Sequence, residues 1–174
     1  KNPQFSFSTI LTGEIRDRDA ELLAEYKNEK GKTGVLLGVN ARPLVGGRGK
    51  GDGLAFTLIP EEPIIAFRKF HFNEDHNWIY LHKNMRVYAN VDMWDDEGMG
   101  FRVHSVQGDT VSLQNIDVEI RRIRLDEITS VLPYFPEITG LFSAEAHYIQ
   151  TEKDLQLSAE ASIDELTYER QRIG

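Results

Sequence analysis

Cysteine is absent from this chain, and proline is sparse, at six of 174 residues. Without cysteine there is no disulfide framework and no thiolate zinc site. No apolar run approaches the roughly 18 residues that a membrane-spanning helix needs. Basic residues are in the minority: 20 Lys and Arg stand against 28 Asp and Glu, a formal charge of −8. Nucleic acid and an anionic membrane surface both call for a basic face, and this balance disfavours both as partners. Hydrophobic residues make up 40% of the chain, enough for a core and too many for a disordered segment.

What is present is alternation. Residues 140–174 hold two runs of it. Phe142, Ala144, Ala146 and Tyr148 alternate with Ser143, Glu145 and His147. After the polar turn Thr151-Glu152-Lys153-Asp154, Leu155, Leu157, Ala159, Ala161 and Ile163 alternate with Gln156, Ser158, Glu160, Ser162 and Asp164. Side chains of a strand point to opposite faces in turn, so this is a hairpin with one apolar and one wet face.

The same pattern recurs upstream. Residues 4–16 read as a strand with a phase shift at Ile10. Residues 20–28 have helical composition, but the turn Asn28-Glu29-Lys30-Gly31 after them favours a hairpin strand. Val35, Leu37, Val39 and Ala41 alternate, as do Leu54, Phe56 and Leu58 up to Pro60 and Pro63. Between those two runs, residues 42–53 read as a loop. A strand is expected over 64–70, a polar turn over 73–77 and a short extended piece over 78–81. Met85, Val87, Ala89, Val91 and Met93 form the next apolar face, followed by the turn Asp95-Asp96-Glu97-Gly98 and a short strand with Phe101 and Val103. Residues 110–124 form a long strand whose apolar face switches from Val111 and Leu113 to Ile116, Val118 and Ile120, the mark of a bulge. One helix is expected over 126–132, capped by Asp126 and stopped by Pro133 and Pro136. The expectation is an all-β, mainly antiparallel fold of ten to eleven strands in sequential hairpins with one short helix.

Features that resemble reactive centres have plainer readings. The glycine-rich stretch 46–53 lacks the spacing of a phosphate loop: the position five before Gly49 is Leu44, and Gly51 follows Lys50 where Ser or Thr is required. It reads as a hairpin loop. His71, Glu74, Asp75, His76 and His82 cluster in sequence and invite a metal, but a solvated turn flanked by histidines accounts for them. Asp92 and the Asp95-Asp96-Glu97-Gly98 turn lack the distal Glu of a calcium loop. No Ser sits in a nucleophile elbow, and nothing marks two carboxyls as buried together for glycoside hydrolysis. No catalytic residue, metal ligand or cofactor is assigned, and the chain is read as non-enzymatic.

The apolar faces remain as the candidate functional surface. They comprise Val35, Leu37, Val39, Leu54, Phe56, Leu58, Met85, Val87, Ala89, Val91 and Met93, and then Ile116, Val118, Ile120, Phe142, Ala144, Ala146, Leu155, Leu157, Ala159, Ala161 and Ile163. The same alternation describes an open groove or the core of a closed sandwich, and periodicity does not separate them. Alanines at 89, 144, 146, 159 and 161 leave room that a tight core fills with larger side chains.

The run Pro133-Tyr134-Phe135-Pro136-Glu137-Ile138-Thr139-Gly140-Leu141-Phe142-Ser143-Ala144, with the hairpin ending Leu166-Thr167-Tyr168-Glu169-Arg170-Gln171-Arg172-Ile173-Gly174, resembles the AsmA-like, TamB-type translocation and assembly module family of Gram-negative bacteria, in its large Bacteroidota form. Residues 70–81, Met85-Arg86-Val87-Tyr88-Ala89 and Thr110-Val111-Ser112-Leu113-Gln114-Asn115-Ile116 carry the same resemblance, and residues 20–59 carry it less closely. The resemblance implies a β-taco, a sheet curled into an open trough with an apolar interior. It implies that residues 1–174 are one segment of a longer repetitive protein, consistent with a first residue, Lys1, that is not methionine. It implies a periplasmic location with an inner-membrane anchor outside this segment. The expected cargo is the acyl chains of phospholipid moving between inner and outer membrane, and the expected partner of the whole protein is an outer-membrane barrel. The alternative expectation is a scaffold or chaperone for outer-membrane protein assembly, acting through an exposed sheet edge.

Overall fold

The computed structural model describes residues 8–16, 19–45, 51–106, 109, 111–130 and 136–173. The fold is all-β with one short helix. The chain runs through β1 (Ser8–Arg16), β2 (Asp19–Lys27), β3 (Thr33–Val45), β4 (Gly51–Ile65) and the two-residue β5 (Arg68–Lys69). Then come β6 (His71–His82), β7 (Val87–Trp94), β8 (Gly100–Ser105), β9 (Gln114–Arg124) and helix α1 (Leu125–Ser130). Strands β10 (Ile138–Gln150), β11 (Leu155–Tyr168) and β12 (Gln171–Arg172) complete it. All pairings are antiparallel, and the strands lie in chain order from β1 to β12, with β5 beside β4 alone. The sheet is open and curled, not closed into a barrel.

Several boundaries differ from the sequence expectation. Residues 20–28 are strand, because β2 pairs along its whole length with both β1 and β3. Strand β3 runs past Pro43, and β4 starts at Gly51, so the loop between them is shorter than 42–53; residues 46–50 lie outside the described residues. Gly53 explains part of that glycine content. Its φ is +154°, and a Cβ there would lie 2.0 Å from the carbonyl oxygen of Leu81 on β6. Strand β4 also continues through Pro60 and Pro63. Leu36 pairs with Ile64 and Gly38 with Ile59, so residues 60–63 bulge opposite Leu37 alone, where a missing N–H breaks no ladder bond. The expected turn at 73–77 is a second such bulge inside β6, opposite Asp92. In β9 the phase shift falls at Arg121 and Arg122, which together oppose Ser143; Val111 and Leu113 precede the strand. Helix α1 begins at Leu125, so Asp126 lies in its first turn, not at a cap. Residues 131–135, with Pro133, lie outside the described residues.

The sheet has two rims. At the first, Phe70, Met93 and Met99 are buried, with Ile65, Phe72, Phe101 and Ile123 packed against them. Each large side chain so buried contributes roughly 1.5–3 kcal/mol. Arg68 clasps this rim together. Its guanidinium bonds Glu127 of α1 through Nε and Nη2, Asp95 at 3.2 Å and Glu97 at 2.9 Å. Glu127 first, then Glu97, hold the Arg68 pKa well above its ordinary value. Phe67 extends the contact to the β2–β3 hairpin: its N–H donates to the Gly34 carbonyl on β3, and its ring packs edge-on against Tyr26 on β2.

At the second rim, short β8 leaves β9 to reach β7 through side chains. Gln114 accepts from the Val87 N–H at 3.1 Å and donates to the Met85 carbonyl at 2.7 Å. Arg86 donates to the Ser112 carbonyl. Asp109 accepts from the N–H groups of Ser112 and Val111 and from Asn115, and these bonds, Ser112 first, hold its carboxyl far below the usual range.

Three hairpins share one turn design. The loops after β2 and β7 place Gly31 (φ +74°) and Gly98 (φ +86°) in the left-handed position, while the loop after β6 places Met85 (φ +65°) there. Left-handed backbone is costly for a residue with a Cβ. Met85→Gly is therefore expected to stabilise the fold by about 0.5–1 kcal/mol in denaturant titration, since the Met85 side chain is 70% exposed and gives up little packing. Arg68→Met is expected to destabilise it by about 2–3 kcal/mol, because the buried Asp95 carboxylate loses its cation. The same titration, with near-UV dichroism of the first-rim aromatics, measures that loss.

Candidate functional site

Directly opposed residues of antiparallel strands share a face. Val103 stands opposite Val118, Val118 opposite Ala146, and Ala146 opposite Ala159. Phe101, Ile120, Ala144 and Ala161 form the neighbouring row, and Ile116, Tyr148 and Leu157 the row on the other side. Phe142 sits between Ile123 and Ile163, and Leu155 is two residues from Leu157 on the same face. Towards β1, Met93 opposes Phe72 and Phe101, Val91 opposes Asn77 and Val103, and Ile79 opposes Ala89 and Phe56. Leu81 opposes Leu54 and Val87. Val39 links Leu58 to Leu22, Leu37 opposes Ala24, and Val35 opposes Tyr26 and Ile65.

The candidate groove residues thus fall on one continuous face, with one correction. Met85 lies outside it, in the β6–β7 turn, because the strand alternation begins only at Val87. The face also holds residues that sequence reasoning left out: Leu11, Leu22, Ala24 and Tyr26 on the first strands, Ile79 and Leu81 on β6, and Phe101 and Val103 on β8. The ambiguity of β2 hid the first set. The mid-strand bulge of β6 hid the second. Phe101 and Val103 were visible as alternation on a strand too short to weigh.

Burial on this face is graded. Ala89, Val91 and Met93 at its centre are at most 5% exposed. The flanks are wet: Leu22 is 50% exposed, Leu155 63% and Leu157 66%. Where β4 and β6 separate beyond Phe56 and Ile79, a hollow of about 200 Å³ opens, lined by Val39, Phe56, Thr57, Leu58, Asn77, Ile79 and Val91. Asn77 bridges that gap. Its Oδ1 accepts from the Leu58 N–H at 2.9 Å, and its Nδ2 donates to the Leu58 carbonyl at 3.0 Å, replacing a ladder pair that the bulge removes.

Across β8 to β11 the opposite face is largely polar. Asp117 is held between His147 and His104, the latter at 3.3 Å. Ser158 stands opposite His147, which completes a Ser–His–Asp row in register, in a shallow depression of about 400 Å³. His147 bonds Asp117, and no hydrogen bond joins it to Ser158. Next to this row, Glu119, Glu145 and Glu160 oppose one another across β9, β10 and β11.

The histidine cluster is dispersed. His71 pairs with Asp96 at 3.3 Å, His82 lies edge-on to Tyr88, and His76 is exposed. Among the described residues no three His, Asp or Glu side chains are grouped to hold a metal ion. No helix among them is long and apolar enough to cross a membrane. The chain matches no protein-family model, no curated protein and no solved structure. Its functional reading therefore rests on the geometry of the two faces.

Asn77→Ala is expected to cost about 2–3 kcal/mol in a denaturant titration, since both polar groups of Leu58 lose their partner in a half-buried gap. Asn77→Asp keeps the acceptor but sets a carboxylate oxygen against the Leu58 carbonyl in a buried position, and is expected to cost at least as much as the alanine variant at neutral pH. A cost near zero for the alanine variant would mean that β4 and β6 do not depend on this bridge.

Proposed function

We propose that this chain is a segment of a non-enzymatic lipid-conduit protein, whose curled sheet shields phospholipid acyl chains on its apolar face while the head groups stay in water. The observation that carries the reading is the continuous apolar face of a single sheet, with large side chains left in solvent at its flanks. A soluble domain ordinarily buries such a face under a second layer, and large exposed apolar patches mark binding surfaces. Shielding would contribute about 25 cal/mol for each Å² of acyl surface removed from water. The small side chains Ala144, Ala146, Ala159 and Ala161, in facing pairs, widen the space above β10 and β11. The resemblance to the AsmA-like, TamB-type proteins points the same way. With it come the periplasm, an inner-membrane anchor elsewhere in a longer protein, and an outer-membrane barrel as partner.

Native mass spectrometry of the chain after incubation with phospholipid tests the reading. Bound lipid at defined stoichiometry is expected for the unaltered chain. Leu157→Arg puts a charge on the apolar face at an already exposed position and is expected to remove most of the bound lipid. Ser158→Arg, one residue along and on the other face, is expected to leave it unchanged. Lipid that binds neither protein, or both variants alike, would sink the conduit reading.

A further inference from the structure

The apolar face is interrupted at one place in its interior. Val39 opposes Leu58 and Asn77 opposes Val91, so β3, β4, β6 and β7 each give one residue to the same row across the sheet. Three of these are apolar and the fourth is Asn77. Its amide turns along the sheet to the main chain of Leu58, where Oδ1 accepts from the N–H and Nδ2 donates to the carbonyl. The space that an apolar side chain at this position would fill is left open. It forms the hollow of about 200 Å³ between β4 and β6, with Phe56 and Ile79 from the adjoining row at its side.

The lining offers little to water. A water molecule held in a cavity needs roughly two to four polar partners. Both polar atoms of the Asn77 amide are engaged, and so are the Leu58 N–H and carbonyl that they bond. Thr57, the other polar residue at the hollow, stands opposite Asn40, so its side chain belongs to the face away from Phe56 and Leu58. The floor is well buried, with Val91 3% and Asn77 8% exposed. A dry apolar cavity of about 150 Å³ is large enough to bind benzene. This hollow therefore has the volume for a ring of that size, and its lining favours hydrocarbon. A hydroxyl carried into it would give up its water partners and find no other.

We propose that the hollow between β4 and β6 is a binding site for a small, uncharged hydrocarbon ring of about benzene's size. Val39, Phe56, Leu58, Ile79 and Val91 supply the contacts, and the Asn77 bridge keeps the space open by holding its own amide out of it. The site lies within the apolar face but does not rest on the conduit reading, since a long chain can cross the face without entering the hollow.

Methyl NMR of the full chain, titrated with benzene in the absence of phospholipid, tests it. Saturable shifts are expected at the methyls of Val39, Leu58, Ile79 and Val91, and none at Val118 or Leu157 further along the same face. Phenol is expected to bind at least roughly tenfold more weakly, because its hydroxyl has no partner in the hollow. Val39→Phe puts a ring into the space and is expected to abolish the saturable shifts. The benzene and phenol titrations of the unaltered chain decide the matter even if that variant folds poorly. Shifts that rise without saturating, shifts spread over the whole apolar face, or equal binding of phenol overturn the proposal. So does a folded Val39→Phe variant that binds benzene as before. A chain that takes up phospholipid but not benzene loses this site and keeps the conduit reading; one that takes benzene but no phospholipid does the reverse.

Discussion

Each strand sends successive side chains to opposite faces, and this sheet works only because that alternation stays in step from β1 to β11. The irregularities preserve it. Where β6 carries residues 73–76 against Asp92 alone, Phe72 and Asn77 both remain on the apolar face. Where Arg121 and Arg122 oppose Ser143, Ile120 and Ile123 do the same. A slip of one residue at either place would turn a whole strand inside out. Bulges of this kind are the points where sequence phase and sheet phase are brought back together, and the side chains of Asn77 and Ser143 satisfy backbone groups that the bulges leave open.

A single sheet has no opposing layer to bury its apolar face, so its stability is concentrated where it curls upon itself. The first rim holds the hydrophobic cluster of Phe70, Met93 and Met99 and the ionic clasp of Arg68. That clasp joins β5, the turn after β7 and helix α1, which are far apart in sequence. The second rim relies on single polar bridges from Gln114, Arg86 and Asp109. The flanking hairpins have neither, and they are where large apolar side chains meet water.

Fold class was legible in the sequence because alternation is a local property, and the 140–174 hairpin can be read residue by residue. The apolar face was legible for the same reason. What escaped was non-local. Pro60, Pro63 and the polar residues 73–77 look like strand ends, since nothing nearby reveals that a bulge will absorb them and that Asn77 will bond Leu58 across the gap. Residues 20–28 have helical composition, and only their pairing on both sides makes them strand. The Arg68 clasp depends on Glu127, fifty-nine positions away, and no motif announces it. Met85 was misplaced because it continues the alternation of Val87 and Ala89 by one step, into a turn where the backbone has already reversed.

The order of the strands in the sheet is also their order in time. Each of the main strands lies beside the one made just before it, so no segment waits for a partner that has yet to be synthesised. Contacts of this kind have short loops to close, which favours rapid pairing. A chain fed out lengthwise, from a ribosome or through a narrow pore, could lay down this sheet one hairpin at a time, and its growing front would be a strand edge at every stage.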